Sequence, residues 1–222
     1  MYKNCKHMAN AKSWTSQAWE AAADIYKDII EHPFIKELAA GTLDTSIFDR
    51  YLAQDELYIG NYGRQMFELA ELITEPEAHE MFVEFAKEGL EGEKMMHALL
   101  IDRFGIDTQV LPSPVTADYN EHTQAAIATG SKEIGLAAML PCMWVYNEVG
   151  QHILRIASVE GNPYREWIQE YGNEAFTEGV NAVLKLADTY AAACGADRRY
   201  PNTSKKAGRN APKRSGVSSK IT

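Results

Sequence analysis

The chain has 222 residues, 45% of them hydrophobic, which is enough to fill the core of one domain or two small ones and too much for a disordered chain. Its net charge of −9 is unevenly spread: residues 195–222 carry eight Lys/Arg and one acid, near +7, while the first 194 residues carry 14 bases and 30 acids, near −16. Such an acidic body repels nucleic acid, and three distant cysteines (Cys5, Cys142, Cys194) argue against a disulfide framework or a CxxC zinc site and for a reducing compartment.

No apolar leader opens the chain, and no apolar run reaches the roughly eighteen residues of a membrane span, which predicts a cytoplasmic protein. Helix punctuation is clear along the body. Ser13 is placed to cap a helix running to about Glu31; His32-Pro33 starts a short one that Gly41 stops; Asp44-Thr45 opens a long one to about Leu72. Pro76 suits a first turn, and the helix after it ends at Gly105. The segment VLPSPVT reads as a linker before a helix from about Asp118 to Thr129. Gly130-Ser131 opens a helix lasting to about Ser158, followed by a short one from Pro163 to Tyr171 and a longer one from Asn173 to Cys194. Alternation of strand length is absent, so the expectation is an all-α, compact multi-helix bundle over residues 1–194, with a basic, disordered tail over 195–222.

Certain residues do not fit a bland bundle. Asp55 falls inside the apolar stripe formed by Phe48, Tyr51, Leu52, Tyr58, Ile59 and Tyr62, so its carboxylate faces the core. Unpaired, it would cost several kcal/mol, so it needs donors, which tyrosines one turn away could supply. It is either a structural carboxylate or the anchor of a ligand pocket between helices. Pro141 lacks an N–H and crowds the Ala137 carbonyl, predicting a bend or local opening beside Cys142, whose helix face continues through Met139, Tyr146 and Val149. A cysteine there is inert filling unless its thiolate is favoured. Two Glu/His pairs, Glu93–His97 and Glu148–His152, raise a di-iron bundle, though they are spaced four apart instead of the usual three. Abundant tyrosines and tryptophans suit a flat heteroaromatic ligand.

Four segments together resemble the TenA/Thi-4 family of thiaminase II-type aminopyrimidine hydrolases: HPFIKELAAGTLDTSIFDRYLAQDELYIGNYGR (32–64), SPVTADYNEH (113–122), AAMLPCMWVYNEVG (137–150) and NPYREWIQEYGNEAF (162–176). The resemblance spans about residues 13–194. It implies a heme-oxygenase-like fold, a homotetramer, no metal or organic cofactor, and a thiamin-salvage hydrolase acting on aminomethyl-aminopyrimidine or thiamin. Residue by residue it implies Cys142 as nucleophile with Tyr58 beside it, Asp55 as the pyrimidine anchor, Tyr119 as the stacking ring, and Tyr146 and Tyr171 as further hydrogen-bonding tyrosines.

The resemblance stops at the tail. The family's last helix carries a glutamate, expected to protonate the leaving group, and a Phe-Trp pair; after Cys194 the only acid here is Asp197, with no Phe or Trp. Three readings stay open: an altered end replacing the helix, another acid such as Glu148, or a protein that binds a pyrimidine with little turnover. A bundle short of one helix also exposes apolar surface, predicting reduced stability or altered association. A metal-dependent bundle oxidase is the remaining alternative.

Overall fold

The protein is described from a computed structural model covering residues 12–195. Eight helices follow one another: α1 (Trp14–Glu31), α2 (Pro33–Ala40), α3 (Thr45–Ala70), α4 (Pro76–Phe104), α5 (Pro114–Ile127), α6 (Lys132–Ile156), α7 (Arg165–Gly172) and α8 (Glu174–Ala193). Among the described residues there is no strand. Cys5 and, beyond Gly195, the expected basic tail lie outside the described residues.

Local chemistry sets the boundaries. The side chains of Ser13, Asp44, Ser131 and Asn173 each accept a backbone N–H at the start of α1, α3, α6 and α8, satisfying donors a helix cannot bond internally. The His32 ring caps α2 in the same way, and Gly41 closes it at φ 69°, a conformation that favours glycine.

Two boundaries differ from expectation. Helix α5 begins at Pro114, earlier than Asp118, because Ser113 Oγ accepts from Thr116 N at 3.1 Å and the linker's second proline becomes the first helical residue. Helix α7 begins at Arg165, since Pro163 sits in a turn where Asn162 Oδ1 accepts from Tyr164 N at 2.8 Å. Helix α6 runs through Pro141 without interruption, so any local distortion at the proline does not break it.

Helix α6 is the hub, packing against α1, α2, α3, α5, α7 and α8. Tyr51 on α3 meets Tyr146 on α6, while Tyr62 meets Met139. As numbers rise along α3 they fall along α6, so the two run antiparallel. The contact with α7 is closest at Gly150, where a Cβ would lie 2.2 Å from the Tyr171 carbonyl oxygen. Only glycine permits it, and this brings Tyr171 to the seam.

The core is in two clusters. One gathers α2 and the first half of α3 with α7, around Phe48, Leu52, Tyr164 and Trp167; the other gathers the second half of α3 with α6 and α8, around Leu69, Met139, Cys142 and Val183. Tyr146 and Phe176 pack against both. Where two packed volumes meet, polar groups can be enclosed without either core surrendering its packing, and the cavity of interest opens at that seam.

Candidate functional site

The seam cavity has a volume of about 40 Å³ and is walled by α3, α4, α6, α7 and the start of α8. Its polar groups are Cys142, Tyr62, Tyr146, Tyr171, Glu93 and Glu170, set among apolar walls that include Ile59, Met66, Phe85 and Phe176. Cys142 is buried. Tyrosines surround it: the Tyr58 and Tyr62 hydroxyls both interact with the Cys142 thiol, and Tyr62 also donates to the Met139 carbonyl at 3.1 Å. Tyr119, from α5, lies nearly parallel to Tyr58 with ring centroids 5.3 Å apart. Burial holds Tyr58, Tyr62 and Tyr119 well above the ordinary phenol pKa, so they stay neutral.

The other end of the site is ionic. Asp55 is buried; it accepts from Tyr51 Oη at 3.0 Å and from Tyr146 Oη at 3.5 Å. His97 of α4 approaches with Nε2 at 3.6 Å, an ion-pair contact longer than a hydrogen bond, while its Nδ1 lies 2.5 Å from Glu56 Oε2. Burial opposes charge on this imidazole, but the hydrogen bonds and negative charges of Asp55, Glu93 and Glu56 outweigh it and raise its pKa to about 9. Trp167 Nε1 donates to Tyr51 Oη at 3.0 Å and fixes that hydroxyl toward the carboxylate. The Tyr171 hydroxyl donates to Glu93 at the edge of the same network.

All six residues singled out in the sequence therefore belong to one assembly, in two ranks. Cys142, Tyr146 and Tyr171 line the cavity; Asp55, Tyr58 and Tyr119 stand immediately behind, each touching a lining residue or the next ring. Asp55 is screened by Tyr146, so a ligand reaching it must displace the 3.5 Å hydroxyl contact, the longest the carboxylate makes with a tyrosine.

Of the acids considered at sequence level, Glu148 does not line the cavity; its carbonyl accepts from Tyr26 of α1. Glu93 and His97 come together with Asp55, their donor atoms within 4.8 Å of one another. The Glu148–His152 pair joins no such group among the described residues, so these residues do not assemble the two-pair arrangement a di-iron bundle needs.

Sequence reasoning missed three participants. Tyr62 reads as part of the core stripe, Glu170 carries no signal of its own, and His97 enters only through a Glu/His pair whose spacing departs from the di-iron pattern, although it lies inside the stripe Phe82, Ala86, Glu93, His97, Leu100 just as Asp55 lies in its own. A charged group inside a buried stripe is the signal that could have found it.

The sequence profile of the TENA/THI-4/PQQC family matches residues 19–199. The chain belongs to that family. The aminopyrimidine aminohydrolases of Halalkalibacterium halodurans and Bacillus subtilis are 29% and 27% identical to it over 79% and 80% of this chain, and 81% and 77% of theirs. The thiamine biosynthesis multifunctional protein ThiED of Corynebacterium efficiens is 30% identical over 86% of the chain, which spans only 26% of that longer protein. A TenA homologue from P. horikoshii OT3 superposes with a TM-score of 0.71 at 25% identity, covering 80% of this chain and 85% of the homologue. The fold is thus the heme-oxygenase-like, all-α bundle of the TENA/THI-4/PQQC proteins. No helix among the described residues is long and apolar enough to cross a membrane.

Proposed function

We propose that this protein is an aminopyrimidine aminohydrolase of thiamin salvage, converting aminomethyl-aminopyrimidine to the hydroxymethyl compound plus ammonia and cleaving thiamin at the same carbon. One observation carries the reading: Tyr146 lines the cavity beside Cys142 while its hydroxyl touches Asp55, so one tyrosine stands between a thiol and a buried carboxyl at the same cavity. The names of the relatives point to the same chemistry.

The Cys142 thiolate adds to a ring carbon of the pyrimidine, and the electron pair expels the group on the exocyclic methylene. Water then adds at that methylene and the thiolate departs. Sulfur suits both steps because it is a strong nucleophile and a competent leaving group. The Tyr58 hydroxyl donates to the thiolate as it forms. Asp55, paired with His97, accepts from the ring nitrogen and amino group, and its hold strengthens as the ring gains basicity during addition. Tyr119 and Tyr58 offer aromatic faces behind the thiol, and Tyr171 and Tyr146 orient hydroxyls into the cavity. By resemblance the assembly is a homotetramer that needs no cofactor.

The test is ammonia release from the aminomethyl pyrimidine by wild type and Cys142→Ala. Activity in the wild type lost in the variant supports the reading; equal, substantial rates in both would reject it. Tight pyrimidine binding with no turnover in either would make the protein a binding module instead.

A further inference from the structure

Releasing ammonia from a carbon requires a proton at the departing nitrogen. The tyrosines of the site are poor sources, because burial holds Tyr58, Tyr62, Tyr119, Tyr146 and Tyr171 above the ordinary phenol pKa. The cavity wall contains two carboxyls. Glu93 is engaged, since it accepts from the Tyr171 hydroxyl and lies in the group with Asp55 and His97. Glu170 differs. It is half-buried on α7, the residue before Tyr171, and among the described residues no cation or hydrogen-bond donor meets its carboxyl.

We propose that Glu170 is the general acid and base of this site, resting on the aminohydrolase reading above. As the thiolate–carbon bond forms, the methylene–nitrogen bond breaks and the Glu170 carboxyl gives its proton to the nitrogen, which leaves as ammonia. The resulting carboxylate then takes a proton from the water that adds to the methylene, and the sulfur–carbon bond breaks to regenerate thiolate. Amine plus water become alcohol plus ammonia, and the protein returns to its starting state. The environment fits: burial alone, with no opposing cation, pushes the Glu170 carboxyl up from the ordinary glutamate value, the behaviour of an acid in an apolar pocket.

The carboxyl also lies close against α4. A Cβ at Gly92 on α4 would lie 2.3 Å from Glu170 Oε1, so this glutamate rests directly on a bare stretch of helix backbone. This supplies a second handle, because an alanine there would push the carboxyl aside without removing it. Only the end of a flexible side chain must yield, and alanine favours the helix.

The purified full chain is assayed for ammonia release from aminomethyl-aminopyrimidine and for thiazole release from thiamin. Both are read as the first-turnover burst, before water adds; there the thiazolium nitrogen departs as neutral thiazole and needs no proton, so the two substrates separate the acid role from the base role they share. Glu170→Gln is expected to lower ammonia turnover about 100-fold and thiazole release less than about tenfold. Gly92→Ala is expected to lower ammonia release too, with an unchanged or higher melting temperature. Ammonia release by Glu170→Gln within about threefold of wild type, while Cys142→Ser is inactive, overturns the assignment and leaves the hydrolase reading standing. Equal losses on both substrates, or undiminished ammonia release by Gly92→Ala, also overturn it. A wild type inactive on both substrates overturns the hydrolase reading and this assignment together.

Discussion

The two ends of the site are built on opposite principles. Around Cys142 stand neutral hydroxyls and aromatic faces; around Asp55 stands an ionic cluster in which His97 is wedged between Asp55 and Glu56. The ionic end ties α3 to α4 through the contacts of His97 with Asp55 and Glu56. Tyr146 joins them, touching Asp55 from the helix that carries Cys142.

The sharpest way to separate the ends is Cys142→Ser. It should lower turnover about a thousandfold or more while leaving affinity for the hydroxymethyl pyrimidine nearly intact, read by single-turnover kinetics and calorimetric binding. A matching loss of affinity would mean that the thiol end also anchors the ring.

Asp55→Asn should damage both binding and the fold. It leaves His97 with one carboxylate partner instead of two, for a stability loss of about 3 kcal/mol in denaturant unfolding and a binding loss of at least about tenfold. Unchanged stability would show that the ionic cluster is not structural.

His97 gives the ionic end a pH signature. Its folded pKa, about 9, lies above its unfolded value of 6.5, so its contribution is fully present below about pH 6.5 and is lost as pH rises through about 9. Over that window stability should fall on the order of 2–3 kcal/mol by thermal or urea unfolding, and His97→Gln should flatten the slope. A wild-type protein equally stable at pH 6 and pH 9 would contradict this.

Glu56→Gln is expected to have the smallest effect. The Glu56 side chain is 43% exposed, so water screens its pairing with His97, and the stability change should stay within about 1 kcal/mol. It should nonetheless move the pH slope of His97 to lower values.

Much of the framework was legible because helix punctuation is local. Ser13, Asp44, Ser131, Asn173, Gly41 and Gly105 mark ends through groups acting within one turn, and they mark them in the folded chain. Asp55 could be singled out for a similar reason: a charge within an apolar stripe must face inward whatever it meets. Cys142 and Tyr146 could be paired because they share a helix face. Pro141 could be placed inside this helix from sequence, and α6 runs through it unbroken while packing against six neighbouring helices.

The partners were another matter. Periodicity says which side of a helix is buried, but not which residue of a second helix arrives there. That depends on the antiparallel register of α3 with α6 and on the approach of α7 at Gly150, both set by how the packed volumes fit. The sequence by itself determined eight helices, their caps and the inward-facing Asp55 and Cys142, through interactions spanning a few residues. Only the tertiary structure decided that Asp55 meets His97, that Tyr62 joins Tyr58 at the thiol, and that Glu170 comes to rest on Gly92, because each is a meeting of side chains from separate helices whose relative placement no local interaction encodes.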